Sequence, residues 1–417
     1  MKSTPQNAAF SFAKLLSLGA LVLAVALLGS LRASSHGSVT LPGNSTPVPE
    51  SLFSLNILFH PLTKVPWPAV PFGGWRMSHV NWPDLEPQKG NWYFTLLDRY
   101  VDWGQQHHVQ ILMALTYTPQ WASSTPDAKT DSQPGISGVP RDMDDWRNFV
   151  RTVGTRYKGR IQQYEIWNEP NRPQSWAGDV DTMIAMTRDA STILKEIDAA
   201  NIVIAPAPEE EKGLPWLNEF LRKGGGQYVD AISYHFYVGM NPPESLIPLI
   251  QKVERAMKEY HVDDKPLWNT EAGWLGPNPL PSSELPAAYV ARAYLLNWAA
   301  GVSRFYWFAW ENHHFAPIEL IQKDNTTFTA AGKAFGQIQQ WMLGAVLNRC
   351  ASSADGTWIC DFDRNGTPTH IVWNTAGNKS FSVPSGWQVS RITTLDGASS
   401  QSQTDSAVIG AQPVLIQ

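Results

Sequence analysis

Between residue 51 and about residue 345, short runs rich in branched and aromatic residues alternate with longer amphipathic stretches. The short runs are LFSLNILF (52–59), WRMSHVNW (75–82), VQILMAL (109–115), IQQYEIWNE (161–169), IVIAP (202–206), VDAISYHFY (229–237), KPLWNTEAG (265–273) and RFYWFAW (304–310). Runs of this length and make-up predict strands. DMDDWRNFVRTVGTRYKG (142–159) and SLIPLIQKVERAMKEYH (245–261) predict helices. Asp142 and Asp144 are capping candidates for the first, and Pro248 falls near the start of the second, where proline is tolerated. Eight strand–helix pairs predict an α/β fold, a (β/α)8 TIM barrel over residues 51–345. A doubly wound sheet is the competitor, but it would carry a glycine-rich phosphate loop after its first strand, and none stands there.

The pattern changes after Trp341. Residues 346–417 are rich in Thr, Ser, Val and Ile, with turn signals at Asp355-Gly356, Asn365-Gly366, Ser385-Gly386 and Asp396-Gly397. Short strands spaced by such turns predict a small C-terminal antiparallel β-sandwich domain. Its Trp358, Trp373 and Trp387 read as core or interdomain packing ahead of a sugar-binding face. Cys350 and Cys360, the chain's two cysteines, flank a stretch centred on Asp355-Gly356. A hairpin there sets them opposite each other and predicts a structural disulfide, while the spacing is not that of a metal site.

At the other end, Lys2 and Lys14 precede the apolar run LLSLGALVLAVALLGSL (15–31), with small residues at Ala33 to Ser35. A charged segment followed by an apolar one predicts a cleaved export signal over residues 1–33; an uncleaved membrane anchor is the alternative. Residues 34–50, rich in Ser, Thr, Pro and Gly, read as a linker. The expected location is secreted or periplasmic, where an oxidising compartment favours the disulfide, with membrane contact only if the segment stays uncleaved.

Composition narrows the function classes. Hydrophobic residues make up 43% and charged residues 17%, which describes a globular protein rather than a disordered one. A formal net charge of −5 with no basic block argues against nucleic acid as a partner. Nineteen tryptophans fit either a large aromatic core or flat surfaces that stack on a ligand such as a sugar.

Functional groups of a (β/α)8 barrel gather where its strands end, at the C-terminal face. The fourth predicted strand ends in YEIWNEPN, with Asn168 and Glu169; the seventh ends in Glu271, within WNTEAGW. The two glutamates are 102 residues apart, three strand–helix units, so both reach the same mouth. Paired carboxylates across a cleft are what glycoside hydrolysis requires: one protonates the leaving oxygen, and the other attacks the anomeric carbon or activates water. Either glutamate alone would more simply be an ion-paired structural residue. Two at matching strand ends favour chemistry.

With these motifs the chain resembles glycoside hydrolase clan A, the barrel enzymes with catalytic glutamates on strands four and seven, over roughly residues 51–345. WRMSHVNWPDLEPQKGNWYF (75–94) and TYTPQWAS (116–123) also look like that clan, nearest to family 39 or family 5. The small β-domain is more like family 39 and its exopolysaccharide-cleaving relatives. The resemblance implies a secreted retaining glycosidase of β-linked oligo- or polysaccharides. Glu169 would be the acid/base, its pKa raised by an ionised Glu271 nearby, and Glu271 the nucleophile. Asn168 would hold the sugar 2-hydroxyl, Arg76 would orient Glu271, and His235 and Tyr237 would face the substrate together because strand alternation puts them on one side.

On the eighth strand, Trp307 and Trp310 are both candidate sugar-binding residues; alternation sets them on opposite faces unless the strand bulges, and Trp310, nearer the C-terminal end, is the expected platform. His79 stands in for the histidine that family 5 enzymes carry after strand three, where this chain has TYTP. Glu165 reads as a buried charge paired with an arginine, and Asn269 is more polar than a strand interior usually is. Glu311, His313 and His314 read as a polar subsite loop ahead of a metal site. No metal or organic cofactor is expected, because the two carboxylates do the proton and nucleophile work. A transglycosidase would use the same residues, whereas a catalytically silent carbohydrate-binding barrel would be expected to lack one of the glutamates.

Overall fold

The computed structural model of the protein describes residues 38–58, 66–77, 79–130, 133–276, 278–311, 316–401 and 405–417. The export signal expected over residues 1–33 lies outside these residues, as do His313 and His314. After a first strand, β1 (Thr40–Asn44), come eight parallel strands: β2 (Phe53–Asn56), β3 (Gly74–Met77), β4 (Gln110–Leu115), β5 (Gln163–Ile166), β6 (Ile202–Ile204), β7 (Ile232–Tyr234), β8 (Leu267–Ala272) and β9 (Val302–Trp307). Helices α1 (Trp82–Leu85) and α2 (Thr95–Gln106) follow β3, and α3 (Met143–Arg156) follows β4. One helix then follows each later strand: α4 (Val180–Ile197), α5 (Leu214–Arg222), α6 (Leu246–Glu259), α7 (Leu285–Ala299) and α8 (Ala330–Met342).

The strand order β6-β5-β4-β3-β2-β9-β8-β7 makes a barrel. It closes between β6 and β7 through a parallel bridge of Ile204 with Ala231, where Ala205 N–H donates to Ala231 O at 3.0 Å. Strands enclosed on both faces carry near-continuous apolar runs, as QILMAL in β4 does. Leu112, Ile204, Ala231, Trp268 and Tyr306 form one apolar cluster inside the ring. Residues of opposite parity, such as Ile111, Met113, Phe305 and Trp307, pack outward in the large core beneath the helices. Helix α3 buries Trp146, Phe149, Val150 and Val153, one stripe at helical spacing, and its Asp142 cap accepts a hydrogen bond from Asp144 N–H.

The C-terminal strands are β10 (Val346–Ser352), β11 (Thr357–Arg364), β12 (Thr367–Asn374), β13 (Lys379–Ser382), β14 (Arg391–Thr393), β15 (Ser399–Gln401), β16 (Ser406–Ile409) and β17 (Val414–Ile416). Seven strands in the order β1-β10-β11-β12-β17-β14-β15 form one antiparallel sheet, and β13 with β16 forms a two-stranded second layer. Asn365 and Gly366, at φ 54° and 82°, turn β11 into β12, a tight hairpin whose twist requires left-handed residues. Cys350 and Cys360 are direct cross-strand partners and are disulfide-bonded. Trp358 and Trp373 are buried and stacked on each other at 5.4 Å, so they are core.

The linker reading of residues 34–50 is corrected over its second half. Thr40–Asn44 form β1 and pair antiparallel with β10, so the segment before the barrel belongs to the C-terminal sheet. The pairing runs through backbone and a single buried Leu41, so composition gave no sign of it. Gly43 is required there: a Cβ would lie 2.2 Å from the Asn348 carbonyl, beside the bulge between Leu347 and Arg349. Helix α7 is buried on nearly every side because this sheet covers its outer face. Arg292 on α7 pairs with Glu244, which also accepts from Trp373 Nε1 at 2.9 Å.

Candidate active site

Strand alternation on β3 points Arg76 into the barrel, between Trp75 and Met77, which pack outward. Its side chain is wholly enclosed. Nε donates to Glu165 Oε2 at 2.7 Å, Nη1 to Glu271 Oε2 at 2.6 Å, and Nη2 to Asn168 Oδ1 at 2.7 Å. The planar guanidinium thus ties together β3, β5 and β8, a task its fixed fork of donors suits. Burial opposes the Arg76 charge, but Glu165 and Glu271 outweigh it and hold the group firmly protonated. Glu165 is therefore the buried, arginine-paired carboxylate expected of it.

Glu271 reaches this partner through an irregularity in β8. Asn269 pairs with Phe305 and Ala272 with Trp307, so three steps on β8 match two on β9. Such a bulge re-aims the side chains that follow it. Asn269 turns outward, donating from Nδ2 to Asn297 Oδ1 on α7 at 3.0 Å, which accounts for its polarity. Without the extra residue Glu271 would share that outward face. Tyr237 O–H donates to the other Glu271 oxygen, Oε1, at 2.8 Å. Burial first, and the Glu271 charge next, push the Tyr237 hydroxyl pKa well up, so it remains a donor.

Glu169 stands at the end of β5, where Trp167 and Glu169 both have left-handed backbone, φ 69° and 49°. Positive φ at bulky residues is uncommon and concentrates at functional sites. The Glu169 N–H donates to Ala207 O at 2.9 Å, locking the strand end to the segment after β6. His235 Nδ1 lies 3.1 Å from Glu169 Oε1, and Arg172 Nη1 donates to Oε2 at 2.9 Å. One carboxylate oxygen from each of Glu169 and Glu271, together with a His235 ring nitrogen, lie within 4.8 Å of one another. A cation placed among them would face Arg76, whose positive charge already sits against Glu271.

The raised pKa expected for Glu169 is corrected. Burial pushes its carboxyl up, but the His235 hydrogen bond, the nearby charges and Glu209 outweigh it and hold Glu169 at about 2. The neighbouring acid shifts the other way. Burial, and then the Glu169 charge, push Glu209 up to about 8. Sequence reading missed both Glu209 and Arg172. Arg172 carries a signal, since it follows YEIWNEPN directly, three residues after Glu169; Glu209 lies after β6 without one.

Around this core, Asn168 sits between Arg76 and Tyr117, whose hydroxyl accepts from its Nδ2 at 3.4 Å. Tyr117 itself is at φ 62°. His79 is exposed on the loop that leaves β3. Trp307 is corrected as a sugar-binding residue: its odd parity turns it outward, where it stacks on Trp274 at 5.8 Å. Trp310 lies beyond the end of β9, so alternation does not set its side; it is buried edge-on against Phe328 at 5.9 Å, as packing and not as a platform. Phe308, just past the end of β9, clusters with Leu58, Leu275 and Ala309. Glu311 is buried.

Several solved glycosidases share the fold. A family 39 glycoside hydrolase from Bacteroides cellulosilyticus WH2 superposes with a TM-score of 0.69 at 17% identity, covering 83% of this chain and 75% of that one. A beta-xylosidase from Caulobacter crescentus CB15 gives 0.65 at 14% identity, covering 90% of this chain and 97% of that one. A glucosidase from Croceicoccus marinus gives 0.62 at 14% identity with the same coverage. At these identities the likeness is one of fold. The chain itself matches the model of the glycosyl hydrolase catalytic core over residues 103–335, more than half its length, and that stretch contains Asn168, Glu169, Arg172, His235, Tyr237 and Glu271. The protein therefore belongs to the glycosyl hydrolase catalytic core family.

Proposed function

We propose that this glycosidase is an exported retaining enzyme acting on β-linked oligo- or polysaccharides, with Glu169 as acid/base and Glu271 as nucleophile. The observation that carries the reading is the approach of the two carboxylates to within 4.8 Å. At about 5 to 5.5 Å a carboxylate attacks the anomeric carbon directly, whereas inversion needs a wider gap to admit water. In the first step Glu271, kept ionised by Arg76 and Tyr237, bonds to the anomeric carbon while Glu169 gives its proton to the leaving oxygen. In the second, Glu169 takes a proton from water, the water oxygen displaces Glu271, and the sugar leaves with its original anomeric configuration. Asn168, held by Arg76, presents its amide to the sugar hydroxyl beside the anomeric carbon.

Aryl β-glucosides, aryl β-xylosides and β-linked polysaccharides test this with wild type beside Glu169→Gln and Glu271→Gln. Each substitution should lower kcat/KM by at least about 10²-fold, as loss of acid–base or nucleophilic catalysis does. Proton NMR of the first product should show the β-anomer. An inverted product would remove Glu271 from the nucleophile's role.

A further inference from the structure

Glu169 poses a chemical problem. An acid catalyst must carry a proton when substrate arrives, yet His235 and Arg172 both favour its ionised form. The second carboxyl of the cluster, Glu209, is built in with care. Glu209 N–H donates to Asn171 Oδ1 at 2.9 Å, and Asn171 Nδ2 donates back to Glu209 O at 3.5 Å. A parallel bridge pairs Glu209 with His235, the residue that touches Glu169. Arg172 spans both acids: Nη1 reaches Glu169 Oε2 at 2.9 Å, and Nε lies 3.4 Å from Glu209 Oε1. Arg172 thus brings the two carboxyl groups to one guanidinium, and burial together with the Glu169 charge favours the protonated form of Glu209. Glu209, Arg172 and Tyr237 line one open cleft of about 460 Å³.

We propose that Glu209 is a positioning residue for the catalytic proton: its carboxyl shares a single proton with Glu169 beneath the Arg172 guanidinium and hands it over for the first chemical step. The inference rests on Glu169 being the acid/base. When the proton moves, the O–H bond of Glu209 breaks, one forms on Glu169, and the charge left on Glu209 faces Arg172. Glu169 then protonates the leaving oxygen. In the second step the proton taken from water by Glu169 returns to Glu209, and the pair is restored. Two carboxylates holding one proton titrate as a unit. The groups facing them are His235 from the end of β7, Arg172 from the loop after β5, Tyr117 from the loop after β4, and Glu271, Tyr237 and Arg76 across the mouth. Beside Glu209 stand Glu210 and the Tyr234 hydroxyl, while Lys212 pairs with Glu210 at 3.6 Å.

The test uses the whole enzyme with 13Cδ-labelled glutamate, as wild type, Glu209→Gln, Glu209→Asp and Glu169→Gln. One carboxyl resonance of the wild type should titrate with a midpoint of about 8 and vanish in Glu209→Gln. In parallel, kcat/KM is followed against pH on phenyl and 2,4-dinitrophenyl β-glycosides of a sugar the wild type cleaves. For the phenyl substrate, which needs the acid, the basic limb of Glu209→Gln should move down by about two pH units, with on the order of tenfold loss at pH 7. The dinitrophenyl substrate, which leaves unaided, should change less than about threefold. Glu209→Asp, which keeps a carboxyl, should restore most of the phenyl activity and guards against a folding failure. A wild type with no glutamate titrating above pH 6, or a basic limb unmoved in Glu209→Gln, overturns the proposal. Full phenyl activity in Glu169→Gln overturns the underlying role of Glu169 instead, whatever the spectra show.

Discussion

Arg76 meets Glu271 at 2.6 Å from inside the barrel, and its own side chain touches no solvent. The same guanidinium holds Glu165 and Asn168, so one residue sets the position of Glu271 and of the amide beside Glu169. A lysine presents a single ammonium and cannot reproduce that three-sided fork. Arg76→Lys should therefore lose kcat by about 10²-fold, the usual consequence of misplacing reacting groups by an ångström. Arg76→Ala should also lose about 3–5 kcal/mol of stability, because Glu165 is left charged and buried. Urea unfolding beside steady-state kinetics reads both; an Arg76→Ala protein as stable as wild type would mean Glu165 finds another partner.

Tyr237 supplies the other hydrogen bond to Glu271. Tyr237→Phe keeps the ring and removes only the donor. If that donor steadies the charge and aim of Glu271, kcat should fall by about 10²-fold, as when one preorganised donor is deleted, with thermal unfolding little changed. A mutant with wild-type kcat would leave Arg76 as the sole support of Glu271.

The barrel was legible because its strands, buried on both faces, have nothing but apolar runs to show, and because the helices between them carry a single apolar stripe. Glu169 and Glu271 were legible from their strand ends. The reason Glu271 faces inward was not: it depends on a bulge between Asn269 and Ala272 that leaves no mark beyond the polarity of Asn269. Trp307 and Trp310 misled for a related reason. Tryptophan is read as a sugar platform by type, but Trp307 packs outward and Trp310 packs against Phe328. β1 escaped notice because a strand held by backbone pairing and one leucine resembles a linker in composition. Glu209 escaped because its importance comes from closing the ring between β6 and β7, which brings it against His235.

The disulfide closes a short loop, Cys350 to Cys360 being 10 residues apart, on β10, the strand that also receives β1. Loop-closure entropy for so short a loop gives about 2–3 kcal/mol. Replacing both cysteines by serine should lower the denaturant midpoint accordingly while leaving kcat of the folded enzyme unchanged, since neither sulfur approaches the mouth. Wild type treated with reductant should match the double mutant; unchanged unfolding in both would mean the sheet needs no clamp.

Stability against pH carries a sign that the Glu169–Glu209 pair dictates. The Glu209 carboxyl is raised from 4.5 to about 8, so the stability it contributes is complete below about 4.5 and is lost as pH rises through about 8. Glu169 is lowered from 4.5 to about 2, so its contribution is present above about 4.5 and is lost as pH falls through about 2. Glu209→Gln removes the first dependence and keeps most of the second. The melting temperature of the mutant minus that of the wild type should therefore climb between pH 4.5 and about 8 and then level off. Scanning fluorimetry across that range in a buffer of constant ionic strength measures it. A difference that stays flat would mean the Glu209 carboxyl is as acidic in the folded protein as in the unfolded chain, and that no proton is kept beside Glu169.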